Sequence, residues 1–436
     1  MNMRAISLVG LGRLGLCLAA IYASKGFRVI GVDLLSSITD AVNRGLSPII
    51  EPGVDALLAE VGGKSFVGTQ SYEKAIAESD ISIILTGTPS LADGSFSNAQ
   101  VEGALEELAA ALKSSRKPYH LFVISSTVVP GSAKDCFIPI IERHSGRKFN
   151  DGFGICYNPG FISLGSVLND FMNPEVVVIG QGREEDGLVL AQLHASICEN
   201  SPVVCRMSID SAEIAKLCLN AYITMKLSFA NLLGNICGKV ENADMDAVSA
   251  AIGSDRRVSP FYFKPGLAYG GTCFPRDTRA LLSVLRKLEL PLELMQACEA
   301  INNYQDTELS QRVLRAAKQQ KAASVGILGL AFKPNTPVIV ESPAIKLAES
   351  LLSAGLRVIG YDPLAMKDTR ARFGERLTLA ANVAECLDSA PVCVLTQPSG
   401  ELAEAVYAYA GTERKYLVDC WRILDADRLP EAIVTV

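Results

Sequence analysis

No stretch constrains the fold of this chain more than VGLGRLG. It sets Gly10, Gly12 and Gly15 in G-x-G-x-x-G spacing, directly after a Val/Ile-rich run and at the opening of a helical one. The first glycine permits a tight turn. The second lets backbone N–H groups approach a pyrophosphate, and the third lets the helix pack close against the strand. Asp33 closes the next strand run, FRVIGVD, where a carboxylate accepts hydrogen bonds from a ribose diol. Strand, turn, helix, second strand and terminal acid in register point to a bound dinucleotide. Asp33 would repel a 2′-phosphate, so NAD is expected rather than NADP. Arg13 and Leu14 open the helix inside the turn and complete the expected cofactor set with Gly10, Gly12, Gly15 and Asp33.

The same alternation extends well beyond the turn. RAISLVG, FRVIGVD, ISIILTG, HLFVISST and VVVIGQG are strand-length apolar runs, separated by amphipathic stretches such as Leu14 to Lys25 and Val101 to Lys113. That is the signature of βαβ units and a mostly parallel sheet. From about Ser211 to Val240 the chain has no proline and keeps apolar residues at helical spacing, which predicts one helix of ~45 Å. SVGILGLAF then opens a second series: an apolar helix from Ala344 to Ala354, LRVIGYDP ending in Asp362, then VCVLTQ and KYLVDCW. The expected fold class is α/β, with two Rossmann-like doubly wound domains joined by a long central helix and a helical middle domain. The expected boundaries are 1–205, 206–305 and 306–436. The second series lacks the glycine triplet: Gly326 and Gly329 lead into Phe332 and Lys333. It either binds the nucleotide part of a substrate, with Lys333 on phosphate, or is architectural.

Composition narrows the function. A net charge of −6 argues against nucleic-acid and anionic-membrane partners, which favour basic faces. No apolar run reaches the ~20 residues of a membrane span. The N-terminus shows no secretory leader, and the twelve cysteines are scattered without paired spacing. Reduced thiols, a cytoplasmic location and no metal site are the expectation.

Two further stretches carry chemistry. In PGLAYGGTCFPRD, Gly270 and Gly271 precede Cys273, and Arg276 and Asp277 follow it. Paired glycines let backbone approach a ligand, and a thiol beside a cation and backbone dipoles gains thiolate character. On the long helix Glu213, Lys216 and Asn220 fall at i, i+3 and i+7 on one face. That face is either a solvated stripe with a Glu–Lys pair, or a buried Lys and Asn beside a reacting centre.

Together these residues resemble the UDP-glucose/GDP-mannose 6-dehydrogenase family over nearly the whole chain. The matching motifs are the N-terminal turn, Glu51-Pro52-Gly53, Gly87-Thr88-Pro89, Ser126-Thr127-Val128-Val129-Pro130-Gly131 and Asn158-Pro159. They continue with Ser211-Ala212-Glu213, Lys216, Asn220, Phe229-Ala230-Asn231 and Gly270 to Asp277, with Thr272 and Arg276 where the family usually has Ser and Lys. Phe332-Lys333, Glu341-Ser342-Pro343, Asp419 and Arg422 complete the match. The resemblance implies oxidation of a nucleotide sugar at C6 by two hydride transfers to NAD, through a thiohemiacetal and thioester on Cys273. It implies that Lys216 and Asn220 stabilise the oxyanion. Asp277, with a water held by Thr127, would serve proton transfer and hydrolysis. Thr88, Thr127 and Arg276 join the cofactor set by the same resemblance. Phe161, Ile162, Lys216, Asn220, Arg257, Tyr262, Lys264, Gly270, Lys333 and Arg422 are implied to bind substrate, with Arg257 supplied across a homodimer built on the long helix.

The departures gather near the sugar. Gly160-Phe161-Ile162-Ser163-Leu164-Gly165 stands where the family has Glu-Phe-Leu, a basic residue, Glu and Gly, and the first of those carboxylates assists hydrolysis. Leu232 replaces an acid, and Val338-Ile339-Val340 replaces Asp-x-Arg. Three functions are compatible with this pattern. One is a full nucleotide-sugar 6-dehydrogenase. Another is an NAD dehydrogenase for a different nucleotide or nucleoside of a specialised pathway, which need not go beyond the aldehyde. The third is a non-catalytic nucleotide-binding homologue.

Overall fold

A computed structural model describes residues 5–436, which form two compact units, one up to Leu219 and one from Asn220 onward. The first holds an eight-stranded sheet of β1 (Ala5–Val9), β2 (Arg28–Val32), β3 (Phe66–Thr69), β4 (Ile81–Ile84), β5 (Leu121–Ile124), β6 (Gly154–Tyr157), β7 (Val176–Gln181) and β8 (Val203–Met207). Its order is β3-β2-β1-β4-β5-β6-β7-β8. Every neighbouring pair is parallel except β6 with β7. Strands β1, β4 and β5 are buried on nearly every residue, as a sheet covered by helices on both faces requires.

The second unit carries a six-stranded sheet of β9 (Ser324–Leu328), β10 (Arg357–Tyr361), β11 (Thr378–Leu379), β12 (Val392–Leu395), β13 (Lys415–Asp419) and β14 (Ile433–Thr435). Its order, β11-β10-β9-β12-β13-β14, has the same winding about its first strand as the first sheet, and all its pairs are parallel. The expected pair of doubly wound α/β sheets is therefore present. In each, the order reverses beside the first strand, and ligands of such sheets bind outside the strand ends at that reversal.

Three sequence expectations need adjustment. Strands β3, β6, β8, β11 and β14 lie outside the runs read from the sequence: β3, β6, β11 and β14 have only two to four residues, and β8, though apolar, is mostly exposed. The helix Arg13–Ser24 is not amphipathic: every residue from Gly15 to Ala23 is buried. It packs in one core with Val54 and Leu58 of the helix Val54–Val61 and with Val167 and Phe171 of the helix Val167–Met172, which cover its outer face. The long helix runs from Ile209 to Cys237, close to its expected span.

Candidate active site

At the end of β1 the chain turns as the glycines demand. Gly10 has φ +92°, and its N–H donates to Val32 O at 2.8 Å. A Cβ on Gly10 would lie 2.7 Å from Leu85 O, and one on Gly15 would collide with Gly10 O. Gly12 is different: a Cβ there meets nothing within 4 Å, so its smallness is not needed by the chain itself. Gly12 caps the helix Arg13–Ser24 with no side-chain hydrogen bond and with no acid in the first turn. The first N–H groups of that helix thus face outward as an anion site. Asp33 Oδ2 accepts from Leu11 N at 2.9 Å and Oδ1 from Leu35 N at 3.0 Å, which fixes the carboxylate and leaves lone pairs for a diol. Arg13 and Leu14 are half-buried beside this turn. After β4 and β5, Thr88 Oγ1 donates to Thr127 O at 2.7 Å and ties the two loops together. An open position at the second glycine, free helix-terminal amides and a fixed acid fit a dinucleotide.

The corresponding turn after β9 does not. Gly329 has φ +94°, as Gly10 does. Asp362 follows β10 as Asp33 follows β2, but it is buried. Its Oδ2 accepts from Leu330 N, Ala331 N and Gln397 Nε2, and its Oδ1 from Leu364 N and Ala365 N. A carboxylate with every lone pair taken by its own chain has nothing left for a ribose. Lys333 lies beyond this turn, its Nζ 5.8 Å from the centroid of the Phe332 ring.

The polar face of the long helix is buried rather than solvated: Glu213, Lys216 and Asn220 are 0 %, 7 % and 9 % exposed. Glu213 accepts from Gly131 N at 2.6 Å and Ala133 N at 3.0 Å, so it fastens the loop after β5. Burial pushes its carboxyl up to about 7 even against these two donors. Lys216 Nζ donates to Gly160 O at 2.7 Å and lies 4.8 Å from the centroid of the Phe161 ring. The loop that departs from the family pattern therefore supplies Lys216 with a carbonyl and an aromatic face. That loop is held from below by Glu51, which accepts from Gly165 N and Val167 N. His194 Nε2 lies 2.8 Å from Asn158 Oδ1, and Asn158 Nδ2 donates to Val178 O. Burial pushes His194 down to about 4, so the ring is neutral at neutral pH. Ile162 is half-buried against the core of the first unit.

In the second unit Asn220 Nδ2 donates to Asp277 Oδ2 at 2.6 Å, and both side chains are buried. Cys273 is the N-cap residue of the helix Phe274–Lys287, one turn before Asp277, and is exposed. Arg276 Nε donates to Asp277 Oδ1 at 3.2 Å, so the carboxylate is held from two sides. The arrangement is a reachable sulfur beside a fixed, desolvated carboxylate–amide pair. The paired glycines have a different purpose from the expected one. A Cβ on Gly270 would collide with Glu341 O, and one on Gly271 (φ +81°) would lie 2.5 Å from the Phe332 ring. They make room for this chain's own backbone and ring.

Tyr262 (φ +57°) and Ser259 (φ +68°) both lie in the left-handed region, in a loop that also carries Arg257. Lys226 Nζ donates to the carbonyls of Val258, Ser259 and Phe261 at 2.9, 3.2 and 2.7 Å. Nothing in the sequence singled out Lys226, because its partners are all main-chain atoms. Arg257 pairs with its neighbour Asp255 at 2.7 Å and is 83 % exposed, and Lys264 is exposed. Arg422 (φ +53°) makes a two-pronged contact with Asp246, Nε to Oδ2 at 2.6 Å and Nη2 to Oδ1 at 2.9 Å. Its Nη2 also donates to Pro265 O at 2.7 Å. Asp246 lies too far from Arg422 in sequence for spacing to reveal the pair.

Three family models match the chain in order. They describe the NAD-binding domain (residues 4–198), central domain (210–304) and UDP-binding domain (326–426) of the UDP-glucose/GDP-mannose dehydrogenase family. A UDP-glucose 6-dehydrogenase of Haloferax volcanii is 34% identical over 421 residues, covering 96% of this chain and 97% of the relative. A GDP-mannose 6-dehydrogenase of Pseudomonas putida is 34% identical over 360 residues, 82% of this chain and 80% of the relative. A solved UDP-glucose dehydrogenase from Pyrobaculum islandicum superposes with a TM-score of 0.88 at 30% identity, over 98% of this chain and 96% of that one.

Proposed function

Because the chain belongs to the UDP-glucose/GDP-mannose dehydrogenase family, we propose that it oxidises the C6 primary alcohol of a UDP- or GDP-linked hexose to a uronate, with Cys273 holding the acyl group. It is an NAD-dependent dehydrogenase acting on CH–OH donors. The observation that carries the finer reading is the exposed Cys273 one helical turn from the buried Asn220–Asp277 pair.

NAD, when bound, accepts the hydride removed from the substrate carbon. Gly10, Gly12, Arg13, Leu14, Gly15 and Asp33 hold it, with Thr88, Thr127 and Arg276 completing its site. Cys273 Sγ adds to the carbonyl carbon of the aldehyde, forming the S–C bond of a thiohemiacetal while the thiol proton goes to the carbonyl oxygen. Loss of a second hydride, to a second NAD taken up in place of the first NADH, and of the hydroxyl proton to solvent leaves a thioester. Water attacks it, the S–C bond breaks, and sulfur leaves as the thiol with the uronate as product. Lys216 Nζ and Asn220 Nδ2 are preorganised donors for the oxyanion that develops at each addition. Asp277 accepts the proton of the attacking water, in concert with Thr127. Arg257, Tyr262 and Lys264 hold the substrate phosphates, Phe161, Ile162 and Gly270 its sugar, and Lys333 and Arg422 its nucleotide. Arg422 can serve there only if a ligand shares or displaces the Asp246 contact.

A UDP-sugar is the first substrate to test, since the Haloferax relative is covered almost end to end and the last domain matches a UDP-binding model. A second reading is favoured by the loop from Gly160 to Gly165, which has no carboxylate. In that reading oxidation stops at the aldehyde. Counting NADH per substrate over a panel of UDP- and GDP-hexoses separates them: two supports the acid, one the aldehyde, and none across the panel defeats both. Cys273→Ser is expected to lose acid formation while binding NAD as the parent does. Undiminished uronate from that variant would falsify the covalent route.

The exposed residues Tyr222, Phe229, Leu232 and Ile236 recur at helical spacing along one face of the long helix. An apolar stripe of that length supports a homodimer formed through this helix.

A further inference from the structure

The helix that begins at Cys273 is braced at its far side by a chain of charges that the reaction does not use. Arg279, on that helix, pairs with Glu341 at 3.0 Å and with Glu299 at 3.5 Å. Lys346 pairs with the same Glu341 at 2.9 Å and with Asp306 at 2.9 Å. Glu341 sits between two cations that come from the helices Phe274–Lys287 and Pro343–Ser353. Glu299 and Asp306 both lie on a third helix, Glu293–Gln319. Burial alone would raise the Glu341 carboxyl, yet Lys346 and Arg279 hold it below its usual range.

Its backbone is as unusual as its company. Glu341 has φ +51°, a left-handed conformation that costs a non-glycine residue ~1 kcal/mol or more unless its surroundings enforce it. That conformation presses Glu341 O against Gly270, where a Cβ could not fit. The preceding carbonyl, Val340 O, accepts the Gly271 N–H at 3.0 Å, two residues before the nucleophilic sulfur. The contact is made by main chain, so it does not depend on which side chains stand at Val338, Ile339 and Val340.

We infer that Glu341 is a positioning residue for Cys273: its side chain, clamped by Arg279 and Lys346, holds a strained loop whose backbone sets the Gly270–Gly271 turn and with it the sulfur. This rests on the reading of Cys273 as the nucleophile. The consequence is that charge pairs remote from the substrate govern the reactivity of the thiol. A structural role alone would lower stability without changing how the folded protein presents Cys273.

The test uses the full-length protein, with Cys273 of the same sample after unfolding in urea as the internal reference. Labelling with iodoacetamide, read peptide by peptide, gives the ratio of native-state to unfolded-state alkylation of Cys273. In Glu341→Ala that ratio should shift by about threefold or more, because thiol reactivity follows its local field and access. Over the same change kcat should fall about tenfold or more, as expected when a reacting atom is displaced by a fraction of an ångström. NAD affinity should stay as in the parent, and Glu341→Gln, which keeps an acceptor oxygen, should recover part of both losses. Lys346→Met removes one clamp only and stands in should Glu341→Ala not fold. An unchanged labelling ratio in Glu341→Ala and Lys346→Met overturns the inference, whatever happens to kcat. Acid formation by Cys273→Ser would defeat the functional reading instead, and the labelling ratio would still decide whether Glu341 sets the sulfur.

Discussion

At the scale of single residues, the three glycines of the first turn have different jobs, and substitution separates them. Gly15→Ala places a methyl group on Gly10 O, so it should unfold or badly distort the turn, as expected when a side chain is forced into backbone. Gly12→Ala meets nothing in the chain. Its stability should stay within about 1 kcal/mol of the parent, while NAD affinity by calorimetry drops about tenfold or more, a loss of ~1.4 kcal/mol. Equal NAD affinity in Gly12→Ala would mean that no phosphate approaches that position. Glu213 makes a second residue-scale prediction. Its carboxyl rises from 4.5 to about 7 on folding because it is buried. The folded chain therefore binds an extra proton between those values, and the resulting stabilisation is full below the lower one and lost as pH rises through the upper. Urea midpoints of the parent should fall from about pH 5 to about pH 8 more steeply than those of Glu213→Gln, in which the group cannot titrate. Parallel profiles would place the native Glu213 pKa at its unfolded value.

At the scale of elements, the long helix has two buried duties and one exposed face. In its first half Glu213 and Lys216 secure the loops after β5 and β6. Further along, Asn220 reaches Asp277, and Lys226 gathers three carbonyls of the loop that holds Tyr262. The remaining face leaves Tyr222, Phe229, Leu232 and Ile236 at 40–54 % exposure. Leu232 stands where the resemblance implies an acid, so the face is more apolar than that motif implies. Phe229→Asp puts a charge in the middle of this stripe and should move the sedimenting species toward monomer, because burying an unpaired carboxylate costs several kcal/mol. A variant that sediments like the parent would move the interface elsewhere. The turn at Gly271 is the other element-scale test. Gly271→Ala meets both a left-handed φ and the Phe332 ring, and should destabilise by more than about 1 kcal/mol.

At the scale of the molecule, two sheets of the same winding have been put to different use. The first turn keeps an acid with lone pairs to spare. In the second, Asp362 is saturated by its own backbone and Gln397. One NAD should therefore bind per chain at the first turn and none at the second. Saturating NAD should slow amide hydrogen exchange in β1, β2 and the helix Arg13–Ser24 by a ligand-linked ~2.7 kcal/mol at a hundredfold excess over Kd. Exchange in β9 and β10 should stay at its NAD-free rate, and a comparable slowing there would reveal a second dinucleotide site.

Sequence alone determined the two doubly wound sheets, the long helix and the cofactor turn. Each of these is local: strand periodicity, a glycine triplet and an acid at a fixed remove all act over a few dozen residues, where chain geometry leaves little choice. The family resemblance also named Cys273, Lys216, Asn220 and Asp277 as a set, though not what each touches. Only the tertiary structure decided that Glu213 fastens a loop instead of pairing with Lys216, and that Gly270 and Gly271 make room for Glu341 and Phe332. It likewise decided that Arg422 grips Asp246 and that Asp362 has no valence left for a ribose. These are contacts between residues far apart along the chain, and many end on backbone atoms. A carbonyl or an amide is the same in every residue, so no spacing of side chains can announce which one a lysine or a carboxylate will meet.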